Sequence, residues 1–366
     1  MAQQVLVLVG TRKGAFVMEG GPARPDARDW KVRGPYLEGK NVMHMALDAR
    51  SGTLFAAMGD PWFGSRVHRS TDLGHTWDEP EHGPTFPADT GLKLEKVWHV
   101  EPGRTGEPGV IYAGVEPAAL FKSTDNGESW QFVRSLNDHP SRSTWQPGAG
   151  GLCLHTIILD PVDLKRMYVA ISAAGVFRTT DGGASWHPAN QGTRVNFMPD
   201  QPPTYAELGQ CVHKVVLNPS QPRRLYQQNH CGVYRTDDGA DQWVEITEGL
   251  PSDWGFGIAV HPHDADTIWV CPGISGYKHW MPSAQMAVYR SRNQGKTWEK
   301  LTRGLPQKDA YLNVLREGMA VDALRPVGLY LGTNTGQLFY SADEGDSWRQ
   351  AAPSFPPINS VGTVTL

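Results

Sequence analysis

Two pairs of side chains in this 366-residue chain stand out as chemically capable: Cys153-Leu-His155 and Cys211-Val-His213. Their i, i+2 spacing on a strand puts thiol and imidazole on one face. Asn229-His230-Cys231 follows the second pair closely. Neutral imidazoles and thiolates from neighbouring strands suit zinc or another soft divalent ion, so His155, His213 and His230 are candidate metal ligands. The bland alternative is buried cysteine acting as a small hydrophobe beside histidines bonded to backbone. Glu317, preceded by Arg316, and Glu116 are candidate catalytic carboxylates, with His155 and His213 as general bases. Hydrolysis of a glycoside needs two such carboxylates, one of them kept protonated by its surroundings. Lys96, beside Glu95, and Arg12, beside Lys13, are candidate anion contacts together with Arg316. The competing reading of these charges is a ring of internal ion pairs around a wet channel.

These residues need a scaffold, and a repeat supplies it. Ser70-Thr-Asp72-Leu-Gly74-His-Thr76-Trp77 recurs as Ser123 to Trp130, Thr179 to Trp186 and Ser341 to Trp348. Two copies are worn: Ala240 replaces glycine in Thr236 to Trp243, and Asn293 replaces aspartate in Ser291 to Trp298. Successive tryptophans lie 53, 56, 57, 55 and 50 positions apart. The aspartate should accept hydrogen bonds from its own turn, the glycine supply a left-handed residue, and the tryptophan pack between sheets. Such a unit is a structural corner of a hairpin.

Around each corner the same strands return. A run ending in a turn (Leu154–Asp160, Val212–Asn218) precedes a second (Arg166–Ser172, Leu225–Gln228) and a short third (Gly175–Arg178, Gly232–Arg235). The fourth begins at the tryptophan. Four strands in about 50 residues make a propeller blade. The N-terminal runs Val5–Val9, Ala15–Met18 and Trp30–Val32 lack a first strand, and Ser360–Leu366 looks like one. The expectation is an all-β, seven-bladed β-propeller of four-stranded antiparallel blades. Residues 1–366 would form a single domain, closed by pairing of the N- and C-terminal strands in a composite blade of 3–37 plus 358–366. Closure would also remove the open sheet edge.

The eight-residue boxes resemble those of the BNR, or Asp-box, repeat β-propellers, a family of sialidase-like and Vps10-like bacterial proteins often labelled glycosyl hydrolases. The resemblance spans essentially the whole chain and implies a ligand site at the channel mouth, on the face away from the boxes. It implies a sialidase-like or glycosyl-hydrolase-like function, although sorting and assembly proteins share the boxes. An Arg-Ile-Pro segment of the sialidases is absent, and Tyr205 with Glu207 is the nearest Tyr/Glu pair. Xyloglucan hydrolases of this kind set their carboxylates between two propellers, and one propeller is expected here.

Aligning the first strands on the turn that ends them puts Met43, Lys96, His155, His213, Phe256 and Glu317 at equivalent places on the channel. Two long loops add to the mouth. Cys271 to Met286 brings Tyr277, His279 and Trp280, whose rings could stack on a sugar, and Asn190 to Gln210 brings Arg194, Tyr205 and Glu207. His261-Pro-His263 should lie on the box face. Three functions follow: a glycosidase-like hydrolase acting on a small, carbohydrate-like ligand, a non-catalytic scaffold for a peptide or protein, and a metal-dependent enzyme with a histidine-lined channel.

Composition bounds the surroundings. The net charge is −4 with no basic run, which points away from nucleic acid and acidic membrane surfaces. No apolar run approaches the ~20 residues of a membrane helix. Val5–Val9 is too short for a signal segment, and the four cysteines lack CxxC spacing, so reduced thiols and a cytoplasmic location are expected.

Overall fold

A computed structural model of the chain describes residues 4–21, 29–60, 62–197, 202–275, 278–351 and 353–366. The fold is all-β and the strands fall where the apolar runs place them, within two residues at most ends. Cys153–Leu159, Met167–Ser172, Gly175–Thr179 and His187–Pro188 form one four-stranded antiparallel sheet. Three further sheets of four strands follow the same order. The sheet of Val42–Asp48, Thr53–Met58 and Val67–Ser70 has three, one fewer than expected. After Trp77 the Asp78 N–H reaches Arg69 O at 2.9 Å, but Pro80 then lacks the donor that a continuing strand needs.

The chain ends pair as the orphan runs imply. Val5–Thr11 lies antiparallel to Ile358–Thr365, with Val5 opposite Thr365 and Val9 opposite Val361. Gly14–Gly20 and Lys31–Tyr36 complete this group of four. A lone parallel bridge, Glu317 to Ser360, links it to the group headed by Val314–Val321, giving one eight-stranded sheet. Inner strands then follow one another around the molecule. Val42–Asp48 neighbours Lys96–Pro102, and Cys153–Leu159, Val212–Leu217, Gly255–Val260 and Val314–Val321 come in turn. Ile358–Thr365 packs beside both Val314–Val321 and Val42–Asp48, so the ring closes, as in a propeller. Apolar cores lie between adjacent sheets, for example Val110, Leu120 and Leu154 with Phe177 and Trp186.

The boxes are the corners their composition implies. Asp72 Oδ1 accepts the Thr76 N–H at 2.9 Å and the Ser70 hydroxyl at 2.7 Å, while Ser70 Oγ accepts the Gly74 N–H at 2.8 Å. Ser123, Thr179 and Ser341 begin the same pattern. The worn copies keep it: Ala240 N–H still reaches Thr236 Oγ1 at 3.1 Å, and Asn293 Oδ1 accepts Thr297 N–H at 2.9 Å. Ala240 carries φ of 69°, a left-handed conformation that its glycine counterparts adopt without a Cβ penalty.

Candidate functional site

Each inner strand carries a register shift near its start, and these shifts build the site. The residue left unpaired is Met43, Trp98, His155, His213 or Phe256, as read from the flanking pairs. In Val314–Val321 the irregular stretch is longer, 315–318, and on the last strand Asn359 is skipped. A β-bulge turns its extra side chain out of the ladder, and in every inner strand but Cys153–Leu159 such a side chain turns into the channel. Met43, Trp98, His213, Phe256, Glu317 and Asn359 all line a cavity of about 1170 Å³. No box residue is among its described lining.

The bulges correct the alignment of first strands. Lys96 is the first residue of its strand, paired with Glu116, and Trp98 is the true counterpart of Met43 and His213. The two-residue slip arises because Glu101-Pro102, which reads like the turn at Asp160-Pro161, still belongs to the strand Lys96–Pro102. Lys96 still reaches the cavity wall, its Nζ 2.7 Å from Glu116 Oε2. Trp98 Nε1 donates to the same oxygen at 2.8 Å. Glu116 is buried, and a side chain at Gly151 would run into its carboxylate. It therefore stands behind Lys96 as an ion-pair partner and is not part of the cavity wall, contrary to the expectation of a channel carboxylate.

Arg316 lies on the wall with its guanidinium 5.2 Å from the Trp98 ring centre and 5.7 Å from that of Phe256. Its polar contact is Cys153 Sγ at 3.4 Å. Among the described residues no carboxylate pairs with Arg316 or with Arg12, which is exposed at the rim. The mouth thus joins two uncompensated cations to aromatic faces, with Lys96 alongside.

Glu317 is the sole carboxylate among the described lining residues. Lys214 Nζ bonds both its oxygens, at 2.5 and 2.6 Å. His99 Nδ1 lies 3.4 Å and His44 Nε2 3.7 Å from it, and the two imidazoles stack at 4.1 Å. Burial pushes the Glu317 carboxyl up, but the Lys214 ammonium, the His99 contact and the neighbouring imidazole charges outweigh it and hold the group well below the usual carboxylate range. Glu317 is an ionised acceptor here and not a proton donor. Burial and the charge of His99 push His44 down to about 3. Burial lowers His99 too, yet its contacts with Glu101 and Glu317 prevail and raise it. His44, His99 and Lys214 each follow a bulge residue by one position, so the correct alignment would have exposed them as a second ring beneath the first.

His155 does not reach the cavity, correcting its assignment as catalytic base and metal ligand. It is fully buried, its Nε2–H donating to Val212 O at 3.0 Å while the Thr156 hydroxyl lies 3.0 Å from Nδ1. His213 instead faces the cavity with His230 and Cys211. The donor atoms of Cys211, His213 and His230 lie within 4.8 Å of one another. His44, His99 and Glu317 meet the same limit.

The long loops contribute less than their aromatic content implies. Ser275 and His279 line the cavity, whereas Trp280 packs edge-on against Tyr311 at 5.6 Å, off the wall. Tyr277 lies outside the described residues. From the other loop Phe197 and Gly209 reach the wall. Arg194 is consumed by Glu245 and Asp253, and Glu207 accepts the Asn190 N–H at 2.9 Å, so Tyr205 and Glu207 form no site. His263 bonds Ala323 O, away from the cavity.

No protein-family model matches the chain. It is similar to a probable oligoxyloglucan-reducing end-specific xyloglucanase of Neosartorya fischeri, 25% identical over 226 residues, which is 54% of this chain and 26% of that protein. A xyloglucanase of Paenibacillus sp. is 25% identical over 271 residues, 64% of this chain and 23% of that one. The chain thus spans about a quarter of the length of these curated relatives. Among solved structures, the GH74 enzyme of Niastella koreensis superposes with a TM-score of 0.56 at 15% identity, covering 98% of this chain and 67% of that one. The chain accordingly shares its propeller-like fold with that enzyme.

Proposed function

We propose that this chain is a single-domain, seven-bladed propeller and a glycosidase-type hydrolase, whose channel mouth takes a small carbohydrate ligand bearing an anionic group. The sheets support this blade count: four have four strands, one has three, and an eight-stranded sheet is read as two blades joined at one bridge. The xyloglucanase relatives favour a carbohydrate ligand. The observation that carries the anionic group is Arg316, set between Trp98 and Phe256 without a carboxylate partner among the described residues. A planar guanidinium in that setting suits a carboxylate bound through two parallel hydrogen bonds. Arg12 extends the positive wall, Lys96 adds N–H donors beside its Glu116 partner, and the aromatic rings offer a flat apolar face to a sugar. A cavity of this volume, sunk into the channel, favours a small ligand over a peptide or protein partner.

Within that reading Glu317 is an ionised hydrogen-bond acceptor on the cavity wall, held in place and charge-paired by Lys214. Glu116, locked by Lys96 and Trp98, orients the lysine.

The test compares matched glycosides with and without a carboxylate on the sugar. The expected outcome is preferential binding and turnover of the acidic member, with Arg316→Ala lowering its kcat/KM about 10- to 100-fold, the scale of a hydrogen bond to a charged group. Equal affinity for both members, unchanged in Arg316→Ala, would overturn the proposal.

A further inference from the structure

We infer that Cys211, His213 and His230 form a binding site for a soft divalent cation of the zinc type, with one coordination position open to the channel. The three side chains come from one sheet and are held in register. Cys211 immediately precedes the inner strand Val212–Leu217, His213 is its bulge residue, and His230 lies in the turn after Leu225–Asn229. The His230 N–H donates to Cys211 O at 2.9 Å, which fastens the turn to the strand start. Ligands built on such fixed elements approach a metal geometry without large rearrangement.

The tautomer of His213 is set for coordination. Its Nδ1–H donates to Gly255 O at 2.6 Å, which leaves the Nε2 lone pair bare. Phe256 stacks on the ring at 4.3 Å, and Trp254 meets it edge-on at 5.7 Å. A carbonyl behind a ligating imidazole is the outer support that fixes ring orientation in metal centres.

The second cluster with compatible donors shows why the first is the metal site. At His44, His99 and Glu317 the carboxylate is already neutralised, because Lys214 Nζ contacts both oxygens. Among the described residues no cation bonds to Cys211, His213 or His230, whose donors include a soft sulfur, although the Arg316 guanidinium on the same wall acts on Cys211 and His213 through its charge. One thiolate and two imidazoles select zinc, cobalt or copper(I) over magnesium or calcium. Donor atoms within 4.8 Å must close by about 1 Å to suit a tetrahedral ion with bonds of ~2.0–2.3 Å, which small rotations of Cys211 and His230 provide. On binding, the Cys211 S–H bond breaks, its proton leaves to solvent and a sulfur–metal bond forms. Three protein ligands leave the fourth position to water or ligand on the cavity side, the pattern of a zinc ion with an open site.

The test is cobalt(II) titration of the untagged full chain, followed by absorbance, with zinc competition and bound metal counted by elemental analysis. It reads binding directly and needs no substrate. The expected result is one equivalent of cobalt with tetrahedral visible bands and a sulfur-to-cobalt charge-transfer band, displaced by zinc and not by magnesium. Cys211→Ser should abolish the charge-transfer band, His230→Ala should reduce bound metal to background, and His44→Gln should leave both intact. Absence of the tetrahedral spectrum in the unaltered chain, or its persistence in both Cys211→Ser and His230→Ala, would overturn the inference. Should Cys211→Ser not fold, the His230→Ala variant in the turn decides the question with the unaltered chain as reference.

Discussion

Glu317 and Lys214 are 103 residues apart in sequence and share two contacts of 2.5 and 2.6 Å. The side chains are only 11% and 13% exposed, so removing one partner strands the other's charge in a poorly solvated wall. Glu317→Gln should therefore lower stability by about 3 kcal/mol, measured as a shift of the urea midpoint. Replacing both residues, Glu317→Gln with Lys214→Met, should recover most of the loss, since no lone charge remains. A single variant as stable as the unaltered chain would show that the pair contributes nothing. The type of residue at 317 was legible from the strand pattern. Its ionisation was not, because nothing local signals that Lys214, His44 and His99 converge on it.

At the scale of the element, the boxes and the bulges behave differently. A box is closed by bonds between residues two to four positions apart, so its geometry is local. Asp343 Oδ1 accepts the Ser347 N–H at 2.8 Å, and Ser341 Oγ accepts the Gly345 N–H at 2.8 Å. Asp343→Ala should cost about 1 kcal/mol, the net worth of such bonds, visible in thermal denaturation. Burial raises the Asp125 carboxyl, but the bonds from Ser129, Ser123 and the Glu128 N–H together outweigh it and bring it down to about 2. A carboxyl lowered in the folded state stabilises the fold above its unfolded pKa and loses that contribution as pH falls through the folded one. Acid titration should thus erode stability between about pH 4 and pH 2. In Asp125→Asn that part of the acid slope should vanish, and an unchanged slope would exclude the box as its source. The bulges, by contrast, are set by the neighbouring strand. Trp98 looks like one more strand residue until its place between the Val97–Val115 and His99–Gly114 pairs is known.

For the whole molecule, closure depends on the last strand. Ile358, Val361 and Val364 are each at most 9% exposed and sit between Val5–Thr11 and the neighbouring inner strands. Deleting residues 358–366 would expose these contacts, at a cost on the order of 5 kcal/mol, against a total domain stability of about 5–15 kcal/mol. It would also bare the edge of Val5–Thr11. Loss of cooperative unfolding and concentration-dependent association in light scattering are the expected outcomes. A deletion variant that melts as sharply as the full chain would show that the ring is held by side-chain packing alone.

Much of the architecture is written in local patterns. Asp, Gly and Trp at fixed offsets make each corner whatever surrounds it, and apolar runs between such corners can only be strands. The orphan runs at both ends require each other for the same reason: an open sheet edge is costly. The site obeys no such local rule. Which side chain enters the channel depends on where a bulge interrupts a ladder, and that is a property of two strands together. His155 and His213 read alike in sequence, yet one turns sideways to Val212 O while the other faces the cavity. Tertiary structure also decided the protonation of Glu317 and the company of Arg316, because charge and burial are set by neighbours that sequence distance hides.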